Sequence, residues 1–398
     1  MNRRRQVIET AWIFIIKVAA LFFSIIAILF LFSTCKMPDL PEGYYNYKEP
    51  PSFSKHPKDN ELDERLNLFR KKGLPGGACL VRGGDKVWTG ASGYADIDRN
   101  IAMDVMAKFR VISVTKPFIA VTMLKLIETQ NGVDLNDKIS EYLPRTVIEK
   151  VDNASIATIR QCLNHTSGIF DYAWSIFRVL DYLNNRDYFN TMEDNLSYLS
   201  WRSAYFAPGT DFRYSNTNYL LIGLVIEEIT DKPFYTVLKE QVINTLGLHN
   251  TYLNPDNPLP SGTVQGYVDQ YGDGRLAPCT YRSEIGPAMG LVTNVYDIDK
   301  FVEKVVKGSF LEQHLKNEFL NVAGNGYGLG IRKKTYTPPG TTIEIEGYGH
   351  DGHGQGYRAF FEYYPEWDVT YIALFNANLG KMEKYYNEYQ CILDVLKY

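Results

Sequence analysis

The 398-residue sequence carries 42 Lys and Arg against 46 Asp and Glu, a formal net charge of −4, and 45% hydrophobic residues. That balance excludes a strongly basic nucleic-acid binder and a disordered chain. Setting aside residues 1–35 leaves 38 basic against 45 acidic residues, so the remainder is mildly acidic and is not built to attract phosphates or anionic lipid.

At the amino terminus Arg3, Arg4 and Arg5 precede Ala11–Phe32, a stretch that is apolar or small throughout except for Lys17. A span of that length crosses roughly 30 Å of hydrocarbon, and its basic flank holds the start in the cytoplasm, so the bulk of the chain is expected on the exported side, periplasmic or extracellular. No polar face runs through the stretch, which separates it from an amphipathic core helix. Ser33-Thr34-Cys35 closes it in the manner of a bacterial lipoprotein signal, although Phe32 and Thr34 fit that pattern poorly; a lipid-modified Cys35 and an uncleaved signal anchor both stay open. Residues 36–60, with Pro38, Pro41, Pro50, Pro51 and Pro57, read as a stiff tether with no core of its own. Cys79, Cys162, Cys279 and Cys391 are too widely spaced for a zinc site or a dense disulfide frame and read as buried thiols, although one or two disulfides are compatible with export.

From Glu61 the pattern becomes that of a folded domain, residues 61–398. Leu62, Leu66, Leu68 and Phe69 predict a short amphipathic helix; Gly77–Val81 and Lys86–Ala91, separated by Arg82-Gly83-Gly84-Asp85, predict a hairpin. A long and mainly helical middle follows, from about Ser113 to Phe310, including Tyr219–Thr230 and Asp297–Val306. Strand character returns at Tyr327–Arg332, Thr341–Gly347, Tyr357–Tyr364 and Val369–Phe375, with Pro365–Asp368 as the last hairpin turn, and Leu379–Tyr398 predicts a closing helix. Neither group of strands is large enough to be stable alone. The expected fold is therefore mixed α/β (α+β): one antiparallel sheet built from both chain ends, flanked by helices, with an inserted helical lobe.

Three short stretches could carry chemistry. Ser113-Val114-Thr115-Lys116 places a hydroxyl and an amine on one helical face, and a buried amine beside a serine can take its proton. Pro117 fits the first turn of a helix starting there, and Asn131-Gly132 stops it. The same spacing recurs at Ser52 with Lys55 and Ser33 with Lys36, so it carries little weight alone. Tyr214-Ser215-Asn216 lies between Ala207-Pro208-Gly209-Thr210 and an apolar helix, where a phenol and an amide can project into a cleft. His350-Asp351-Gly352-His353 sits among Gly347, Gly349, Gly354 and Gly356. No helix follows, as a phosphate loop would need, and no third ligand makes the two histidines a metal site. Glycines on an edge strand that let a substrate backbone approach fit better, and no cofactor is expected.

The order of Ser113-x-x-Lys116, Tyr214-x-Asn216 and His350-x-Gly352 resembles the serine β-lactamase and penicillin-binding protein superfamily. Phe109–Ile112, Leu163–Gly168, Phe206–Thr210 and Gly286–Gly290 add to the resemblance, which is to the branch of class C β-lactamases, D-alanyl-D-alanine carboxypeptidases and related esterases and covers roughly Leu62–Asn378. It implies the β-lactamase/transpeptidase-like fold, with Ser113 attacking a carbonyl to form an acyl-enzyme, Lys116 accepting its proton and Tyr214 passing a proton to the leaving group. Asn216 would orient Lys116 and the substrate amide, the backbone N–H groups of Ser113 and His353 would hold the oxyanion, and His350 would hydrogen-bond near Tyr214. His165 is expected to tie a loop in place. Where lactamases carry Lys and a hydroxyl, this chain has His350 and Asp351; an anion facing the cleft would repel a substrate carboxylate, which favours esters, amides or peptides lacking one near the scissile bond. Tyr172, Tyr267, Tyr271 and Tyr281 could rim the cleft. The leading expectation is a membrane-tethered serine hydrolase acting on a small molecule or peptide, with peptidoglycan as one source. The alternatives are a true β-lactamase and a non-catalytic penicillin-binding sensor or scaffold.

Overall fold

The computed structural model describes residues 40–184, 191–253, 259–269, 274–279, 286–322, 324–338, 340–354, 356–379 and 394. The chain divides after Glu42, and the fold described here is that of the unit beginning at Gly43. Among the described residues no helix is long and apolar enough to cross a membrane. The apolar stretch 11–32, Cys35, Cys391 and nearly all of the expected helix Leu379–Tyr398 lie outside them.

Helix α1 (Asp59–Lys71) leads into the hairpin of β1 (Gly76–Gly83) and β2 (Lys86–Asp96), and β3 (Arg332–Tyr336), β4 (Ile345–Gly354), β5 (Tyr357–Tyr364) and β6 (Val369–Phe375) return at the far end of the sequence. The sheet order is Ser54–Lys55, β2, β1, β6, β5, β4, β3, antiparallel throughout except at Ser54–Lys55, with Ile101–Ala102 attached to β2. The two chain ends are joined by the pairing of β6 with β1, from Val369 opposite Gly83 to Phe375 opposite Gly77. Side chains alternate across these strands. Ala78, Leu80, Ile372, Leu374 and Phe361 share one core with the helical lobe, whereas Cys79, Val81, Tyr371, Ala373 and Phe360 pack with Leu62, Leu66 and Phe69 of α1 on the other face. With both faces covered, β6 is buried along its whole length, which is why it reads as a continuous apolar run.

The lobe is organised by α2 (Thr115–Thr129) and α3 (Asn216–Thr230), both apolar on nearly every side and buried through most of their length. The expected helix Asp297–Val306 is α4 (Val295–Phe301), which ends in a π-helical stretch, Val302–Lys307. Phe301 stacks on Phe118 of α2 with centroids 4.0 Å apart and so couples the lobe to the sheet.

Three expectations are corrected. The stretch taken as a free tether is docked from Gly43 onward: Tyr45 donates to Asp96, Ser261 donates to the Tyr44 carbonyl, and Phe53 stacks on Tyr296. The strand expected at Tyr327–Arg332 begins only at Arg332, because Gly328 and Gly330 carry the chain across the helices; Gly330 has φ +83°, and a Cβ there would lie 2.7 Å from the Tyr219 hydroxyl. The strand expected to stop at Gly347 instead runs through the His-x-Gly motif to Gly354, held by pairing with β5 despite its weak intrinsic propensity. Cys79, Cys162 and Cys279 are each buried. Tyr267 is also core, its hydroxyl accepting from the Ile97 N–H, while Tyr271 and Tyr281 lie outside the described residues.

Candidate active site

Ser113 lies in a 3-10 turn, Ile112–Val114, that feeds directly into α2, so it sits at a helix start and keeps partial exposure. Ile112, just before it, has φ +50°, a left-handed conformation that a β-branched residue adopts only under constraint. The constraints are visible: Thr115 Oγ1 donates to the Ile112 carbonyl at 2.6 Å and accepts from Leu291 N, and Val111 N donates to the Leu291 carbonyl. On the other side the turn abuts β4. A Cβ on Gly352 would overlap the Val111 carbonyl and lie 3.2 Å from Ser113 N, and one on Gly354 would meet Ile112. The glycine of the third motif thus makes room for the chain's own nucleophile turn, not for a substrate backbone, and it sets the Ser113 N–H beside the Gly352–His353 segment.

Lys116 is fully buried. Its Nζ is 3.2 Å from Ser113 Oγ, 2.9 Å from Asn216 Oδ1 and 2.8 Å from the Ala288 carbonyl. Two of these neighbours can only accept, so a neutral amine would spend both N–H groups on them and turn its lone pair to Ser113. Asn216 is held in turn: its Nδ2 donates to both Asp171 carboxylate oxygens at 3.1 and 3.3 Å. Asp171 is buried, and burial raises its pKa against the opposing effects of the Ala173 N–H, Lys116 and Asn216. The result is a buried line of contacts, Asp171 to Asn216 to Lys116 to Ser113.

Tyr214 closes the other side, with its ring centroid 4.9 Å from Lys116 Nζ. Burial raises the phenol's pKa, opposed by Ser113 and Arg332, so Tyr214 carries its proton at neutral pH. His165, fully buried, lies beneath it at 4.2 Å between centroids and accepts from Ser215 N through Nδ1, which fixes the loop that presents Tyr214.

His350 makes its hydrogen bond near Tyr214, as expected, but to the neighbouring Tyr327. Its Nδ1 lies 2.7 Å from the Asp351 carbonyl and must donate there, leaving Nε2 to accept from the Tyr327 hydroxyl at 2.9 Å. Burial first, and Arg332 next, hold its pKa well below the usual histidine range, so it is neutral. Asp351 departs from expectation. Arg332 and Lys334 reach its Oδ1 at 3.0 and 3.2 Å, and His353 and Arg358 lie 3.1 and 3.5 Å from Oδ2. Burial alone would raise its pKa, but Lys334, Arg332 and Arg358 hold it well below the carboxylate range. Arg332 also spans the Tyr214 and Tyr327 rings, 5.2 and 5.6 Å from their centroids. This corner of the site is therefore a paired cluster with cations in excess and not a lone repelling anion.

Of the expected residues, Ser113, Lys116, Tyr214 and Asn216 converge, Gly352 packs on the nucleophile turn, His350 stands behind Tyr327, and His353 turns its imidazole to Asp351. Sequence reasoning missed Asp171, Tyr327, Arg332, Lys334 and the Ala288 carbonyl. A buried lysine's need for fixed acceptors signals that such groups exist but does not say which residues supply them.

The family model described as Beta-lactamase matches residues 59–390. Protein flp of Staphylococcus aureus (strain N315) is 24% identical over 245 residues, covering 61% of this chain and 48% of that protein. A D-aminopeptidase of Cereibacter sphaeroides is 25% identical over 325 residues, covering 80% of this chain and 59% of that protein. The chain thus spans about half the length of the curated relatives it matches. Among solved structures, a D-stereospecific amidohydrolase from Streptomyces sp. superimposes with a TM-score of 0.70 at 25% identity, covering 81% of this chain and 95% of that one.

Proposed function

Since the chain belongs to the β-lactamase family, we propose that it is a serine hydrolase that cleaves an amide or peptide bond next to a D-configured residue through an acyl-enzyme on Ser113. One observation carries the reading: buried Lys116 sets its Nζ 3.2 Å from Ser113 Oγ while Asn216 Oδ1 and the Ala288 carbonyl hold it in place, so a deprotonated amine there can take the serine proton. Ser113 Oγ adds to the carbonyl carbon as its proton passes to Lys116 Nζ, and the Ser113 and His353 N–H groups receive the oxyanion. Tyr214, protonated at rest, gives its proton to the leaving nitrogen and is refilled from Lys116 as the C–N bond breaks. Water then adds to the ester by the same relay in reverse and releases the acid. The D-configuration follows the D-aminopeptidase and the D-stereospecific amidohydrolase to which the chain is similar.

The hydrolase acts on the exported side, anchored through residues 11–32 or a lipidated Cys35. The support is the apolar stretch behind Arg3–Arg5, broken only by Lys17.

A second reading, acylation by penicillins and their turnover, is favoured by the ion pairs of Asp351, since its charge is paired and Arg332, which lies over the Tyr214 ring, is the cation nearest the nucleophile that could receive a substrate carboxylate. Both readings are tested by intact-mass measurement after exposure of wild type and Ser113→Ala to a fluorophosphonate and to penicillin, with D- and L-amino-acid amides assayed in parallel. Adducts on wild type only, with turnover of the D-amide, are expected. Normal amide turnover by Ser113→Ala overturns the mechanism, and equal turnover of the L-amide overturns the stereochemical assignment.

A further inference from the structure

Helix Ile176–Asn184 is laid on the body the wrong way round for a surface helix in water. Ser175, at its start, is fully buried, and Arg178 turns inward over the Tyr172 ring at 5.5 Å. Ile176, Phe177 and Leu180 point outward with 53%, 57% and 47% of their surface exposed, beside Trp174 at 77%. Trp201, wholly exposed, joins the same surface: the adjacent Arg202 lies 5.9 Å from the Phe177 ring centroid, and Tyr198 donates to Asp181 on the helix at 2.9 Å. With Val179, six of the twelve exposed large apolar side chains among the described residues fall here.

We propose that this face lies on the surface of a lipid bilayer and holds the candidate active site against the membrane. The proposal rests on the reading of residues 11–32 as an anchor. Side chains this exposed form no pocket for a small ligand, which would need a concave site. Exposed Trp and Phe with Arg set inward on a strongly amphipathic helix match the chemistry of interfacial helices. The same chain offers a route to a bilayer: residues 33–42, fully extended at most roughly 35 Å, are all that lie in the sequence between the apolar stretch read as an anchor and Gly43. The helix follows directly on Asp171 and Tyr172, and Tyr172 N donates to Thr217 next to Asn216, so a seated face brings the cleft close to substrates presented at the membrane.

The test uses full-length protein in phosphatidylcholine vesicles with or without brominated acyl chains, which quench indole emission. The chain has Trp12, Trp88, Trp174, Trp201 and Trp367. Comparing wild type with Trp174→Phe/Trp201→Phe isolates the face, and comparing it with Trp12→Phe isolates the anchor. Bromination is expected to remove emission contributed by both sets. Quenching of Trp12 alone overturns the proposal while leaving the anchor standing; quenching of neither overturns both. Shielding of Trp174 and Trp201 that follows added amide substrate, or protein density in the vesicle, in place of bromination would assign the face to substrate or to a second copy, and either result overturns the bilayer assignment.

Discussion

Replacing Gly352 with Ala tests how the sheet controls the nucleophile. The added Cβ would overlap the Val111 carbonyl oxygen, lie 3.1 Å from its carbon and 3.2 Å from Ser113 N. Ordinary contact is about 3.5 Å, so β4 and the Ile112–Val114 turn must separate by roughly 1 Å at the oxygen. Overpacking of this kind costs about 1–3 kcal/mol. A 1 Å misplacement of reacting groups costs on the order of 10²-fold in rate, so a kcat/KM for amide hydrolysis near 1% of wild type is expected, alongside a small fall in Tm. Gly76→Ala on β1, three strands from β4, is the matched control, because its Cβ would lie 2.5 Å from the Tyr94 carbonyl of β2. It should lose comparable stability and keep its activity per folded molecule. Gly352→Ala with amide turnover within about threefold of wild type, or Gly76→Ala with an equal activity loss, would refute the account.

Asp171→Ala frees the Asn216 amide to turn away from Lys116; a lost hydrogen bond to a charged group is worth about 1.5–3 kcal/mol, so single-turnover acylation should slow by roughly 10- to 150-fold with KM little changed. His350 and His165 are held neutral, their pKa values depressed by burial. The unfolded chain therefore binds more protons below the ordinary histidine pKa of about 6.5, and stability present above that pH is lost as pH falls through it, by up to about 1.4 kcal/mol per unit for each histidine. Thermal melts between pH 8 and 5 should show that fall, and His350→Gln should shallow it. Asp351→Asn removes the carboxylate that Arg332, Lys334 and Arg358 share and should destabilise the fold at pH 7 by about 3 kcal/mol in denaturant titration. Because the folded pKa of Asp351 is depressed, its contribution is complete above the unfolded value of about 3.9 and fades as pH falls below it, so the variant's stability should vary less with pH in that acid range.

What could be read from the sequence divides along physical lines. The hairpin after α1, the strands β5 and β6 and the turn between them were legible because apolar runs bounded by turn residues leave little choice of conformation. Ser113, Lys116 and Asn216 were legible as side chains whose chemistry is unusual in combination, and they do meet. The Ala288 carbonyl was not, since a backbone acceptor leaves no mark in residue type. Tyr327 was hidden among 29 tyrosines and in a segment that glycines keep from being a strand. Strand β4 was misjudged at its end because glycine has poor strand propensity, and only its pairing with β5 overrides that.

The hardest feature to read was the charge of the third motif, because it is distributed over two strands. His350 stands where lactamases carry a cation, and it is buried and neutral. Read along one strand, the loss of that cation followed by Asp351 looks like a reversal of charge. Across the sheet it is not: Arg332 opposes Gly349 and Lys334 opposes Gly347, so both side chains lie on the face that Asp351 shares two residues further along β4. They meet its carboxylate there, and Arg332 extends over the Tyr214 ring. Positive charge has moved from the motif to the neighbouring strand, with Asp351 as the counterion that fixes it. The charge around Asp351 is therefore set by Arg332 and Lys334 of the neighbouring strand, which no motif spacing on β4 could reveal.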